Sequence, residues 1–246
     1  MTGFHDLHIK GEPLVLFNVW DAGSARAVAA SGAAAIATGS AGVAMAQGFE
    51  DGENVPLDIV LANAKRVVAA VDVPVTIDFE GGYAKDGAAL TDNVGRLVAT
   101  GAAGMNFEDC VPGTADIYPA DVQARRIQAA RQASADLFIN ARTDVFLRSD
   151  PATHADHMED ALGRAAQYAD AGADGFFIPG LADRALIARI CAGTGLPVNV
   201  LWRPELGSAA KMAALGVARI SYGSLPYRDA MAALEAAAKA ALGGTS

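Results

Sequence analysis

The sequence predicts a closed barrel of eight parallel strands alternating with helices, an α/β fold of the (β/α)8 or TIM type, formed by residues 1–246 as a single domain. Eight short aliphatic runs are each followed by a segment with helical spacing. The length of 246 residues suits one large barrel. No Gly-x-Gly-x-x-Gly follows the first run, which disfavours an open dinucleotide-binding sheet.

The strand candidates are rich in β-branched and aliphatic residues, as is typical of parallel strands buried on both faces. They are Leu14 to Val19, Ala35 to Thr38, Val73 to Phe79, Gly104 to Phe107, Leu137 to Ala141, Gly175 to Ile178, Pro197 to Leu201 and Arg219 to Tyr222. Before four of them, a glycine ends a helix-like segment, where the left-handed C-cap conformation favours this residue. These glycines are Gly32, Gly101, Gly172 and Gly216.

The helix candidates lie between the strands and have helical spacing or helix-start residues. They are Gly23 to Ala30, Leu57 to Val71, Ala88 to Thr100, Ala120 to Ala133, Thr153 to Ala171, Leu181 to Ala192, Ser208 to Leu215 and Pro226 to Leu242. The last helix is rich in alanine. It either packs between subunits or closes the barrel of its own chain, and the sequence leaves both alternatives open.

Composition limits the possible partners. A net charge of -9 repels nucleic acid and anionic lipid surfaces, so neither is an expected partner. Residues 27–49 carry no charge, but we interpret this Ala- and Gly-rich stretch as a strand with turns rather than a membrane span. The N-terminus lacks the pattern of a secretory signal, and two cysteines cannot form a disulfide framework. We therefore expect a cytoplasmic protein.

The thiols and imidazoles are weak candidates for catalysis. No histidine lies near Cys110 or Cys191 in the sequence, so both are interpreted as packed thiols rather than nucleophiles. Histidines occur at positions 5, 8, 154 and 157, at the N-terminus or at the start of a helix. We expect these four side chains to be solvated.

Acidic residues stand where strands give way to loops, which in a barrel is the catalytic face. Asp78 and Glu80 are two residues apart at the end of a strand, so they are predicted to project from the same face. Glu108 and Asp109 end the next strand, and we expect that pair to face the same cavity. Like charges held this close repel each other unless a cation or a proton lies between them.

Oxygen donors without histidine or thiolate partners favour a hard cation, Mg²⁺ or Mn²⁺. The predicted metal residues are Asp78 as the direct ligand, with Glu80, Glu108 and the loop acid Asp51 holding bound water. Arg142 would bind a carboxylate or stabilise developing oxygen charge. The catalytic candidates are therefore Arg142, Glu108 and Asp51. The substrate-binding candidates are Trp20, Asp21, Gly39, Ser40, Ala41, Arg142 and Asn199.

Each feature also has a structural interpretation. An isolated acid pair at the end of a strand more often caps the next helix than binds a metal. The segment Arg142-Thr-Asp144 is as compatible with a buried ion pair as with a substrate site. Two acid pairs together with an arginine favour the metal site.

The motifs Asp78-Phe-Glu-Gly-Gly-Tyr83, Asn106-Phe-Glu-Asp109 and Asn140-Ala-Arg-Thr-Asp144 resemble those of the isocitrate lyase and phosphoenolpyruvate mutase superfamily. The resemblance extends to Asn18-Val-Trp-Asp-Ala-Gly-Ser-Ala25 and Thr38-Gly-Ser-Ala-Gly42, and covers nearly the whole chain. It implies a modified barrel, often tetrameric with an exchanged C-terminal helix. It also implies Mg²⁺-dependent cleavage or formation of C–C or P–C bonds beside a 2-oxo acid.

By motif, the resemblance implies that Asp78 is the metal ligand, with Asp51, Glu80 and Glu108 around it, and that Arg142 and the Ser40 loop bind the substrate. Two segments depart from the family pattern. The lid signature of the lyases is replaced by Cys110-Val-Pro-Gly-Thr-Ala-Asp-Ile-Tyr118, which also lacks the lid lysine of the mutases. The Asn-x-Thr-Glu pattern becomes Asn199-Val-Leu-Trp202, which favours a small substrate.

The functional hypothesis is a Mg²⁺-dependent lyase that cleaves a C–C bond in, or decarboxylates, a small 2-oxo or 2-hydroxy carboxylate through a metal-stabilised enolate. The expected assembly is a homo-oligomer, a dimer or a tetramer. One alternative is hydrolysis or mutation of the P–C bond of phosphonopyruvate, and another is a barrel that binds an oxo acid without turnover. A third, a phosphate-binding barrel, rests on Gly223-Ser224 after the last strand.

Overall fold

A computed structural model of the chain describes residues 3–85 and 87–243. Within these residues eight parallel strands lie side by side in the order β1-β8-β7-β6-β5-β4-β3-β2, which confirms the (β/α)8 barrel. The strands are β1 Leu14–Leu16, β2 Ile36–Ala37, β3 Val75–Asp78, β4 Gly104–Glu108, β5 Phe138–Arg142, β6 Gly175–Phe177, β7 Val198–Leu201 and β8 Arg219–Ser221. Each predicted run contains or overlaps one of them.

The helices follow the strands around the outside of the barrel. They are α1 Ala22–Ala30, α2 Ser40–Gln47, α3 Leu57–Val68, α4 Gly87–Val98, α5 Ala120–Ala133, α6 Met158–Asp170, α7 Arg184–Gly193, α8 Ala209–Ala213 and α9 Leu225–Gly243. Short 3-10 turns at His5–Leu7, Pro151–His157 and Pro204–Leu206 precede β1, α6 and α8. None of the helices in the described residues has both the length and the apolarity needed to cross a bilayer.

The segment after β2 differs from the prediction. It was interpreted as a strand with glycine-rich turns, but Ser40–Gln47 forms helix α2. Gly39 is the N-cap in an extended conformation, and Gly48 ends the helix with a φ of 78°. Alanine, methionine and valine inside this run are compatible with a helix. Gly39 and Gly48 therefore mark the two ends of one helix rather than a series of turns.

The closing seam of the barrel lies between β1 and β2, which the described residues join through a single parallel bridge from Val19 to Thr38. The side chain of Asn18 reinforces this seam. Its Nδ2 donates to the carbonyl of Thr38 at 2.8 Å, and its Oδ1 accepts from the amides of Tyr222 at 2.8 Å and Gly223 at 2.9 Å. One amide side chain thus joins the ends of β1, β2 and β8.

Apolar side chains fill two regions. The larger cluster lies between the strands and the surrounding helices, as expected for a barrel. A smaller cluster consists of Phe4, Leu14, Leu16, Ala35, Ala37 and Phe138. It lies at the N-terminal ends of the strands, where the chain preceding β1 covers the barrel, so the opposite end is left for the polar residues.

Two of the four histidines are buried, so the prediction that all four are solvated is wrong. Nδ1 of His8 lies 3.0 Å from the carbonyl oxygen of Phe4, and the ring stacks on Phe138 with centroids 4.0 Å apart. Nε2 of His154 lies 2.9 Å from the carbonyl oxygen of Phe146. The 3-10 turns fold these rings back onto the barrel, which no local sequence signal indicated. Both cysteines are buried, as predicted.

Candidate active site

A cavity of about 280 Å³ opens among the C-terminal ends of the strands and is called the mouth cavity here. Its polar lining includes Ser40 at the start of α2, Asp51 in the following loop, Asp78 on β3 and Arg142 on β5. Apolar side chains, among them Phe177 and Leu201, form another part of the wall. The structure therefore brings four of the predicted site residues to one cavity, together with Gly39 and Ala41.

Asp78 is fixed by polar groups rather than by a cation. Its Oδ2 accepts from the backbone amide of Ser40 at 3.0 Å, and its Oδ1 from Nδ2 of Asn106 at 3.3 Å. Its own amide donates to Oγ1 of Thr38 at 3.0 Å. Within the described residues no lysine or arginine forms a salt bridge with Asp78. The carboxylate thus lines the cavity and has no cationic side chain paired with it among the described residues.

Asp51 approaches the same point from the loop after α2. Burial raises the pKa of its carboxyl, and the negative charge of Asp78 raises it further. Hydrogen bonds from Ser40 and the Gly52 amide, and the charge of Arg142, partly offset this. Two carboxylates that destabilise each other's charge in a half-buried cavity are the arrangement that a bound cation relieves.

Glu80 does not line the mouth cavity. It follows the end of β3 with a φ of 48°, and its carboxylate accepts from the amide of Glu53 at 2.5 Å and the hydroxyl of Tyr83 at 2.6 Å. It shares only a gap of about 10 Å³ with Asp78. Burial raises the pKa of Glu80 to about 7 against the hydrogen bond from Tyr83, so this carboxyl is a weaker metal ligand than Asp78.

Glu108 and Arg142 form an ion pair with Nη1 and Oε2 2.7 Å apart. Nε and Nη2 of Arg142 donate to the two carboxylate oxygens of Asp144 at 2.6 and 3.0 Å. Burial disfavours the charge of Arg142, but these two carboxylates outweigh it and raise its pKa above the usual range. The buried ion pair that the sequence left as an alternative for Arg142 and Asp144 is therefore present.

Asp109 does not face the mouth cavity, so the prediction for this residue is wrong. Its side chain is fully buried and accepts from Nη1 of Arg164 at 3.0 Å and the hydroxyl of Tyr168 at 2.9 Å. Its other oxygen accepts from the amide of Asp144 at 2.9 Å. Successive residues of a strand point to opposite faces, so Asp109 is directed towards helix α6 and away from Glu108.

A second cavity of about 500 Å³ adjoins the first and shares Asp51 with it. It is lined by Glu108, Cys110 and Arg148, and by residues 112–114 of the segment that replaces the family lid. A bridge between Cys110 and Ile117 closes this segment into a loop. Sγ of Cys110 lies 2.8 Å from Nη2 of Arg148, and burial raises the pKa of the thiol. Cys110 is thus a packed, protonated thiol.

Three of the predicted substrate-binding residues lie outside the mouth cavity. Asp21 caps α1, where its side chain accepts from the amide of Ser24 in a reciprocal capping box. Trp20 packs edge-on against Tyr227 with ring centroids 5.2 Å apart. The side chain of Asn199 is buried and hydrogen bonds to Oγ of Ser221 at 3.1 Å. Capping, the structural interpretation given to isolated acids, describes Asp21.

No group of three or more His, Cys, Asp or Glu side chains within residues 3–85 and 87–243 forms a ready metal cluster. The two carboxylates that meet at the mouth cavity, Asp51 and Asp78, could supply part of an oxygen shell. The rest would come from water and a ligand, as is usual for Mg²⁺. An all-oxygen donor set of this kind fits Mg²⁺ or Mn²⁺ and not Zn²⁺.

Sequence reasoning missed Asn106, Arg219 and Arg228. Oδ1 of Asn106 accepts from Nδ2 of Asn140 at 2.8 Å and Nη2 of Arg219 at 2.9 Å, which fixes its amide so that Nδ2 faces Asp78. Arg219 is fully buried, and burial lowers its pKa to about 9 despite the charge of Asp78. Asn106 was visible in the quoted motif, but the interior direction of Arg219 had no sequence signal.

Comparison with known proteins gives consistent matches. A family model described as phosphoenolpyruvate phosphomutase matches residues 4–242. A Burkholderia cenocepacia structure, provisionally described as a phosphonomutase, superposes with a TM-score of 0.94 at 46% identity and covers 97% of this chain and 96% of its own. An uncharacterised protein of Mycobacterium tuberculosis is 38% identical over 98% of this chain and 89% of its own length.

Two relatives are named as enzymes. Phosphoenolpyruvate phosphomutase of Streptomyces hygroscopicus is 33% identical over 70% of this chain and 56% of its own length. Oxaloacetate decarboxylase 2 of Pseudomonas fluorescens is 28% identical over 81% of this chain and 69% of its own length.

Proposed function

This chain belongs to the phosphoenolpyruvate phosphomutase family of the isocitrate lyase superfamily, and we propose that it is a magnesium-dependent lyase acting on a small 2-oxo acid. Decarboxylation of an oxaloacetate-like substrate is the favoured reaction. The observation that carries this proposal is the pair Asp51 and Asp78, which meet at the mouth cavity without a salt bridge to any described lysine or arginine.

The residues present fit a divalent cation. Asp78 would hold the ion directly and Asp51 would hold it directly or through water. Burial raises the pKa of Glu80 to about 7, and Glu108 is paired with Arg142, so these two would contribute less charge. A bound Mg²⁺ supplies positive charge to the carboxylate and carbonyl oxygens of a 2-oxo acid, where negative charge grows as the neighbouring bond breaks. Mn²⁺ is compatible with the same donor set.

The protein residues themselves orient the reactants. Asn106 and the amide of Ser40 hold the carboxylate of Asp78, and Ser40 offers its hydroxyl beside Asp51. Arg142 lines the cavity wall and is held there by Glu108 and Asp144, which offset its positive charge.

The described lining of the mouth cavity contains no His, Lys, Cys or Tyr. Cleavage of a hydroxy acid requires a base to remove the hydroxyl proton, whereas a 3-carboxylate leaves as CO2 without that step. The lining carboxylates Asp51 and Asp78 are both assigned to the ion in this proposal, which favours decarboxylation over aldol-type cleavage. Water would protonate the product.

A second candidate reaction is cleavage of the P–C bond of phosphonopyruvate. The 46% identity to the Burkholderia cenocepacia protein, provisionally described as a phosphonomutase, favours it. A barrel that binds an oxo acid without turnover is the third possibility, and the replaced lid segment motivates it. The two reactions act on different substrates and the third possibility forms no product, so one set of assays separates them.

The test supplies oxaloacetate or phosphonopyruvate with Mg²⁺ and follows pyruvate and phosphate above the uncatalysed rate. We expect pyruvate from oxaloacetate, loss of activity with a chelator, and a fall in kcat/KM of at least about 100-fold for Asp78→Asn. Asp92→Asn, which removes the same charge from an exposed position on α4, is the control. Activity that survives both the chelator and Asp78→Asn contradicts the proposal. Magnesium-dependent oxalate binding without turnover supports the binding-only barrel.

We further propose that the protein acts in the cytoplasm as a homo-oligomer, a dimer or a tetramer. Within the described part of α9, Pro226 is the only buried residue, and Leu234 is 62% exposed. A 19-residue helix with exposed apolar side chains is typical of a subunit interface. Light scattering should give a multiple of 25.1 kDa. Leu234→Glu should lower that mass, and a monomeric unsubstituted protein would contradict this proposal.

A further inference from the structure

Arg228 lines the mouth cavity from the first turns of α9, and its guanidinium forms no hydrogen bond or salt bridge within the described part of the chain. Its side chain is solvent-exposed. This residue was not selected by the sequence motifs, because it lies four residues beyond the loop that follows β8.

Arg142, the arginine that the motifs did select, is already neutralised. All three of its guanidinium nitrogens contact protein carboxylates, through Nη1 to Glu108 at 2.7 Å and through Nε and Nη2 to Asp144 at 2.6 and 3.0 Å. Three of its five N–H donors are committed and two carboxylates already offset its charge, so a ligand carboxylate gains less there than at an unpaired guanidinium. The uncommitted positive charge on the described wall of the mouth cavity therefore belongs to Arg228.

The first turn of α9 is held in place. Pro226 is buried, and Tyr227 packs edge-on against Trp20 with centroids 5.2 Å apart. The amide of Arg228 donates to the carbonyl of Ser224 at 3.1 Å, and Ser224 lines the same cavity. A cation on an anchored turn loses little backbone freedom when it binds an anion.

The lining of the mouth cavity carries charges of both signs. Asp51 and Asp78, called the acidic end here, supply the negative charges, and the proposed function places the ion and the 2-oxo acid group beside them. Phe177 and Leu201 belong to the apolar wall, and Arg228 also lines the cavity. The volume of about 280 Å³ is at the small end of ligand sites, so a compound of a few carbons fills it.

We propose that Arg228 determines specificity by binding the second carboxylate of a four-carbon substrate, whose 2-oxo acid end is held by the ion at Asp78. The inference rests on the proposed function for the acidic end alone. It assigns to Arg228 the discrimination between dicarboxylates and monocarboxylates of the same core.

The test measures the affinities of malate and lactate in the presence of Mg²⁺ by calorimetry, because the two differ by one carboxylate. We expect the unsubstituted protein to bind malate at least tenfold more tightly than lactate, as a charge-assisted contact implies. Arg228→Gln should bring that ratio close to one without changing lactate binding, and Arg228→Lys should retain part of it. Lys239→Gln, which removes a positive charge from an exposed position on the same helix, should leave the ratio unchanged.

Steady-state kinetics with oxaloacetate give a second measurement. Arg228→Gln should raise KM by about tenfold or more with a much smaller change in kcat. An unchanged malate-to-lactate ratio in Arg228→Gln, a ratio near one in the unsubstituted protein, or no malate binding overturns the inference. A preserved effect of Arg228→Gln on malate together with no turnover of any 2-oxo acid sinks only the proposed reaction.

Discussion

His8 provides a quantitative test of the buried polar interior. Its ring stacks on Phe138, its Nδ1 lies beside the carbonyl of Phe4, and its Nε2 has no hydrogen-bond partner among the described residues. Burial, together with the nearby positive charge of Arg219, lowers the pKa of His8 from 6.5 to about 3. As pH falls below 6.5, His8 binds a proton in the unfolded chain but stays neutral in the folded protein. The free energy of unfolding therefore decreases with falling pH until about pH 3.

The size of this effect follows from the two pKa values. We integrate the difference in bound protons between unfolded and folded His8 from pH 7 to pH 5. The integral is about 1.4, which corresponds to about 2 kcal/mol of unfolding free energy. His8→Phe keeps an aromatic ring against Phe138 but does not titrate. Urea unfolding at both pH values should show that the unsubstituted protein loses about 2 kcal/mol more than His8→Phe. An equal loss in the two proteins would refute the reasoning.

Three further substitutions test packing and buried polar contacts elsewhere in the barrel, each by urea unfolding. Gly82 has a φ of 83°, and a Cβ there would overlap Cδ1 of Leu90, so Gly82→Ala should cost about 2–4 kcal/mol. Gly163 lies inside α6 with open space around it, so Gly163→Ala should add up to about 1 kcal/mol, and a loss there would contradict the helix assignment. Asp109→Ala removes the buried carboxylate that pairs with Arg164 and leaves it only the more exposed carboxylate of Asp160, so it should cost about 3–5 kcal/mol, whereas a loss below about 1 kcal/mol would show that the pair is dispensable.

The fold could be predicted from the sequence because its signals are local. Each aliphatic run is short, and the glycines before the strands mark the ends of helices. The exception was the segment Ser40–Gln47. Its glycines suggested turns, but they lie at the two ends of a helix and within its first turn. Glycine identifies a change of conformation but does not say which element follows.

The location of the site could also be predicted, because parallel strands end at one rim and Asp78 stands at that rim. The directions of its neighbours could not all be predicted. Glu80 lies beyond the last residue of β3 with a positive φ, so the two-residue alternation no longer applies to it. Applied to Glu108 and Asp109, the same alternation separates the two side chains, and the prediction that grouped them neglected it.

Contacts between residues that are distant in the sequence could not be predicted from it. Arg228 stands 150 positions after Asp78, and no motif or spacing connects the two. The commitment of Arg142 to both Glu108 and Asp144 depends on side-chain geometry that strand periodicity does not specify. A motif can indicate that an arginine belongs to a site, but only the arrangement of neighbouring carboxylates shows whether its charge is available.

The seam between β1 and β2 depends on the side chain of Asn18, so the two sides of the barrel differ in how well they tolerate substitutions. Exchanging the amide of Asn18 for an isosteric carboxylate sets two oxygens against each other at the carbonyl of Thr38 and removes a donor that no backbone group replaces. The wall formed by β4 and β5 is held by a ladder of consecutive main-chain pairs, which side-chain exchanges leave intact. During evolution, substitutions that widen or reshape the mouth of the barrel are therefore easiest beside Ser40, at the seam, and hardest beside Glu108, on the β4–β5 ladder.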